Sequence, residues 1–181
     1  MSMNSNSVGA MWSKNVTFNN GEILLAGIPA STLAREFGTP TFFLDEDAFR
    51  SRAIAWRDGL KSEFGDRAGH VFYASKAFTC TAVAHWISEI GIGMDVATGG
   101  ELAAALAGGV NPAKIQVHGN NKSLAEIDRA VSIGVNTSVM DSLYEIDRVA
   151  EAARKHGKRQ AVLIRLTPGI EAHTHESIST A

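Results

Sequence analysis

Short apolar runs recur along this chain at nearly constant intervals, and that recurrence constrains its fold more than any other feature. They begin at Val71 (VFYAS), Met94 (MDVAT), Ile115 (IQVHG), Thr137 (TSVMD) and Ala161 (AVLIRL), 21 to 24 residues apart. Between them lie helical patterns at Thr81–Ile90, Glu101–Ala107, Leu124–Ile133 and Leu143–His156, closed by Gly91, Gly108-Gly109, Gly134 and Gly157. Glycine is the expected residue just past a helix C-terminus. Near-continuous apolar strands alternating with amphipathic helices predict a parallel sheet covered by helices. A doubly wound open sheet and the first part of a (β/α)8 barrel both satisfy the pattern.

The region before the recurrence reads differently. Residues 1–15 are polar, rich in Ser and Asn, and are expected to be a flexible tail. Val16–Phe18 and Glu22–Leu25 flank Asn19-Asn20-Gly21, a tight hairpin signal. Ser31-Thr32 can cap a short helix ended by Gly38, Thr41–Leu44 reads as a β segment, and Asp45 can cap a helix to about Phe64. The expected organisation is a tail at 1–15, segments of a β domain at 16–44, and a β/α unit at 45–181.

Charge and cysteine content narrow the function classes. Seventeen Lys and Arg against nineteen Asp and Glu leave a net charge of -2, unlike the basic surface of a general nucleic-acid binder. The single cysteine, Cys80, excludes an intrachain disulfide and a multi-cysteine metal site. Neither a secretory signal nor a membrane-length apolar run is visible, so a cytoplasmic protein is expected.

In either β/α architecture the chemistry gathers where strands end, and those ends carry Lys76, Asp95, His118 with Asn120, Asp141 and Arg165. Lys76 is either a solvated strand-end lysine or a desolvated amine able to form a Schiff base. Asp95, between Met94 and Val96, is either a strand-end cap or a buried carboxylate needing a cation, for which Arg165 is the expected partner. His118 is either a hydrogen-bonded structural histidine or a cavity-lining one. Gly99-Gly100 and Gly119 do not form a Walker loop and read as turn or close-packing glycines. His173-x-His175-Glu176 is too thin a ligand set for a metal site, and none is expected.

Taken together, several of these segments resemble one family. Phe72-Tyr73-Ala74-Ser75-Lys76-Ala77 is similar to the lysine motif of the pyridoxal-phosphate decarboxylases built on an alanine-racemase-like barrel. Gly93-Met94-Asp95-Val96-Ala97-Thr98-Gly99-Gly100-Glu101 resembles the second-strand motif of that group. His118-Gly119-Asn120-Asn121-Lys122, Arg165-Leu166-Thr167-Pro168-Gly169 and Glu171-Ala172-His173-Thr174-His175-Glu176 narrow the resemblance to its diaminopimelate decarboxylase branch. The resemblance runs from about Ile28 to Ala181.

It implies the barrel rather than the open sheet, with pyridoxal 5'-phosphate as cofactor and a Schiff base on Lys76. Asp95, His118 and Arg165 would line the cofactor cavity. The implied reaction converts meso-2,6-diaminopimelate to L-lysine and CO2 in a homodimeric enzyme, without nucleic acid or membrane partners. A related ornithine or arginine decarboxylase, or a non-catalytic relative or fragment, is the alternative. Only about five barrel strands are visible, so the chain is expected to be the N-terminal part of such an enzyme and inactive by itself.

Overall fold

A computed structural model describes residues 12–166, and the chain divides into two compact units, 1–69 and 70–181. The Glu171–Glu176 motif therefore lies outside the described residues, as do Thr167, Pro168 and Gly169.

In the N-terminal unit, β1 (Val16–Asn19) and β2 (Glu22–Leu25) form an antiparallel hairpin, with β3 (Ile28–Pro29) on the other side of β2. Asn20 and Gly21 both have positive φ, 49° and 81°, the pair of left-handed residues that a two-residue hairpin turn requires. Helix α1 (Ala30–Phe37) follows, and α2 spans Glu46–Phe64. The Asp45 carboxylate accepts from the Ala48 N–H at 3.0 Å and so caps α2 as the sequence predicts. Two expectations fail in this unit. Ser31 and Thr32 do not cap α1, which begins after Pro29 without a side-chain cap; the Ser31 N–H instead donates to Glu22 Oε1 at 3.2 Å. Thr41–Leu44 forms no strand, because it pairs with neither edge of the three-stranded sheet, and Phe42, Phe43 and Leu44 stay exposed.

The second unit is the β/α repeat. Strands β4 (Phe72–Ala74), β5 (Gly93–Val96), β6 (Ile115–Val117), β7 (Thr137–Met140) and β8 (Val162–Ile164) form one parallel sheet in strictly sequential order. Helices α3 (Thr81–Ile90), α4 (Gly99–Ala107), α5 (Leu124–Ile133) and α6 (Tyr144–Lys155) make the connections. The order settles what periodicity leaves open. A doubly wound sheet reverses direction at a switch point, whereas these strands step one way, as in a (β/α)8 barrel.

The core of this unit is the apolar layer that the runs predict. Met94, Val96, Ile115, Val83, Ala84, Ile87 and Leu102 are all nearly or fully buried. A second cluster joins Ile127 and Val131 of α5 to Met140 of β7 and Val149 and Ala152 of α6. The helices approach closely at the end of α4. A Cβ on Gly108 would collide with Ala84 Cβ and lie 2.7 Å from the His85 backbone nitrogen of α3. Gly108 has an ordinary helical φ of -78°, so the requirement is space rather than conformation. Gly108→Ala should therefore destabilise the unit by about 1–3 kcal/mol through overpacking. Urea unfolding of the parent and variant measures this, and equal midpoints would contradict it.

Candidate active site at the strand ends

The sheet's parallel order brings the C-terminal ends of β4 to β8 onto one rim. Lys76 lies just past β4 in a single 3-10 turn, Ser75–Ala77. The Tyr73 hydroxyl donates to the Phe78 carbonyl at 2.8 Å and the Thr79 hydroxyl to the Ser75 carbonyl at 2.6 Å, closing this turn on itself. The Lys76 side chain is exposed, and its amine engages no acceptor among the described residues. Beside it, the Ser75 hydroxyl is buried without a hydrogen-bond partner among the described residues.

Asp95 and His118 meet because β5 and β6 are neighbours whose register sets Asp95 opposite Gln116, two residues before His118. His118 Nε2 lies 3.5 Å from Asp95 Oδ1 without hydrogen-bond geometry, and both atoms are buried with no other partner among the described residues. The segments that follow them are tied down by helix caps. Thr98 with Glu101 and Ser123 with Glu126 form reciprocal capping boxes at the starts of α4 and α5. Glu126 reaches further, accepting from the Gly99 N–H at 2.7 Å, so one carboxylate links the starts of both helices. These hydrogen bonds hold its carboxyl below the usual range, the Ser123 N–H contributing most.

The expected Asp95–Arg165 pair is not formed. Arg165 Nη1 instead donates to Asp141 Oδ1 at 2.9 Å, and the Arg165 N–H donates to the Met140 carbonyl. Strand order gives the reason. Asp95 is on β5, and β6 and β7 separate it from β8, three spacings of roughly 4.8 Å each. Asp141 follows the neighbouring strand in register with Arg165. Asp95 is also only half-buried rather than enclosed. Sequence reading placed Asp141 on the rim but missed its role as the anchor of Arg165.

Burial pushes the Asp95 carboxyl above its ordinary range, and the charge of His118 pulls it partly back. A carboxyl raised in the folded state stabilises the fold below its unfolded value, and that contribution is lost as pH rises through the folded value. Asp95→Asn should accordingly become more stable relative to the parent as pH is raised across that interval, then hold a constant advantage. Denaturant midpoints from about pH 3.9, the unfolded Asp value, up to neutrality test this. A variant whose advantage is largest at the acid end would contradict it.

Among the described residues, no group of three His, Cys, Asp or Glu side chains is placed to hold a metal ion, and no helix is long and apolar enough to cross a membrane. Along the rim, Ser75 Oγ, Asp95 Oδ1 and His118 Nε2 are buried without a hydrogen-bond partner among the described residues, at the strand ends that also carry Lys76. A polar organic ligand bearing a carbonyl suits that donor set.

Residues 46–181 match the family described as pyridoxal-dependent decarboxylase, pyridoxal binding domain. A diaminopimelate decarboxylase of Mycobacterium tuberculosis is 51% identical over 172 residues, covering 94% of this chain and 37% of that protein. The crystal structure of a diaminopimelate decarboxylase from M. jannaschii in co-complex with L-lysine superimposes with a TM-score of 0.76 at 29% identity, covering 93% of this chain and 39% of that one. A lysine/ornithine decarboxylase from Vibrio vulnificus complexed with putrescine gives 0.59 at 27% identity, covering 75% of this chain and 35% of that one. The chain thus spans little more than a third of the length of the relatives it matches. Its sequential parallel sheet is the N-terminal part of an alanine-racemase-like barrel, preceded by a small antiparallel sheet.

Proposed function

The chain belongs to the pyridoxal-dependent decarboxylases, and from that premise we propose that the polypeptide carrying it converts meso-2,6-diaminopimelate to L-lysine and CO2. The observation that carries the reading is the 51% identity with a diaminopimelate decarboxylase across almost the whole of this chain. The unpartnered polar atoms of Ser75, Asp95 and His118, at the strand ends that also carry Lys76, support pyridoxal 5'-phosphate as the group held there.

In this reading Lys76, Asp95, His118 and Arg165 contact the cofactor. When bound, pyridoxal phosphate supplies an electron sink for the pair left behind as the carboxylate departs. Lys76 offers the primary amine through which the cofactor is held. Asp95 faces the His118 imidazole across 3.5 Å, so the two present their polar atoms to the same part of the rim. Arg165, anchored by Asp141, presents a permanent cation that suits an anionic group. In the net reaction, the bond between the D-configured carbon and its carboxylate breaks, CO2 leaves, and a proton takes its place.

A cytoplasmic homodimer completes the proposal, with the barrel unit starting near residue 45, next to the start of the family match at residue 46. The test is a side-by-side assay of the complete polypeptide with pyridoxal phosphate and meso-diaminopimelate, ornithine or arginine, following CO2 and the amine products. L-lysine from diaminopimelate is the expected result. Preference for ornithine or arginine would move the chain to a neighbouring decarboxylase, and turnover of none would sink the reading.

A further inference from the structure

Two charged side chains behind the rim are buried and have no part in the chemistry above. Lys122 is 3% exposed and Glu145 is 4% exposed, and Lys122 Nζ lies 2.8 Å from Glu145 Oε1. The same ammonium donates to the carbonyls of Gly119 and of Val139, the latter at 2.8 Å. Glu145 Oε2 accepts from the Asp141 N–H, also at 2.8 Å. Apolar side chains of similar volume often replace a buried ion pair with no loss of stability, so stability alone does not account for this one.

Its contacts offer another account. Gly119 directly follows His118, while Val139 and Asp141 flank the end of β7. Asp141 in turn anchors Arg165. One ion pair therefore fastens the loop presenting His118 to the end of β7, which presents Asp141, the anchor of Arg165. Gly119 is suited to the tight approach, with φ at +109° and room for a Cβ only 3.0 Å from the Ala97 carbonyl oxygen.

We infer that Lys122 and Glu145 are positioning residues that hold the His118 loop and the Asp141–Arg165 corner in one fixed relation at the rim. The same contacts withhold the Lys122 amine from the chemistry assigned to Lys76. The inference takes the rim as the reactive site proposed above.

The test removes both charges together, as Lys122→Met with Glu145→Leu, in the complete polypeptide. Three quantities are read: the unfolding midpoint, kcat and KM with cofactor and substrate, and the NMR titration midpoint of His118 without substrate. The expected double variant folds with near-parental stability. Its kcat falls on the order of ten- to a hundredfold, as for a small misplacement of reacting groups, while KM stays within about threefold. Its His118 titration midpoint moves. A purely structural pair would instead yield a stable double variant with parental kcat and an unmoved His118 titration, and that result overturns the inference. If the double variant does not fold, Glu145→Gln, which keeps an acceptor for the Asp141 N–H, is read by the same criteria. A shifted His118 titration in a protein whose parent decarboxylates none of the three amino acids would uphold the positioning role and refute the proposed function.

Discussion

Lys76→Ala should lower turnover by on the order of a thousandfold or more, as expected when a covalent catalytic group is lost. It should shift unfolding by no more than about 0.5 kcal/mol. The two expectations separate because nothing in the turn relies on the lysine side chain. The Ser75–Ala77 turn is closed by Tyr73 and Thr79, each bonding to a backbone carbonyl. The Lys76 side chain itself lies exposed at the end of β4. Borohydride reduction of the cofactor-loaded parent should leave a pyridoxyl group on Lys76 and none on Lys122, whose amine is buried among three acceptors. Peptide mapping that placed the adduct on Lys122, or an alanine variant with parental turnover, would defeat the assignment. A variant that lost both activity and fold would contradict the turn's independence.

The parts of this architecture that could be read in advance are those imposed by local rules. A strand buried on both faces has to be an apolar run, so β5, β6 and β7 announce themselves in MDV, IQV and TSVM. Thr81–Ile90 and Leu124–Ile133 coincide with α3 and α5 to the residue, because an amphipathic period and a left-handed glycine bound each of them. Thr41–Leu44 has strand-like composition, but a strand exists only where a partner ladder exists, and none is available to it.

The site divides along the same line. Lys76, Asp95, His118, Asp141 and Arg165 were all legible as strand-end residues. Which of them touch was not, because pairing follows from strand order and register, and those are set by the whole sheet. Asp95 thus faces His118 from the next strand rather than Arg165 from three strands away. Lys122 and Glu145 were harder still. Lys122 sits between Asn121 and Ser123, and Glu145 sits in a polar helical turn with Asp147 and Arg148, so both look like solvated charges. Their burial arises from how the Gly119 loop folds over the end of β7. The available signal was the pairing of a loop lysine with an acidic residue at the start of the following β/α unit.

Lys122→Met alone should cost about 3–5 kcal/mol, the range for breaking a buried ion pair by removing one partner. Methionine fills much of the volume of the lysine stem, so little of the loss comes from a cavity. The loss comes from Glu145. Its Oε1 faces Lys122 and has no hydrogen-bond partner among the described residues, so the substitution leaves a buried carboxylate oxygen with nothing opposite it. The carbonyls of Gly119 and Val139 also lose a donor. Adding Glu145→Leu should recover most of the stability, since the stranded charge goes too, at the expense of the Asp141 N–H acceptor. The double variant should therefore be markedly more stable than the sum of the single effects. Urea unfolding of the parent, both single variants and the double variant closes the cycle. Strictly additive losses would mean that the two charges do not support one another, and a single variant within about 1 kcal/mol of the parent would mean that the Glu145 carboxylate finds water or another partner once Lys122 is gone.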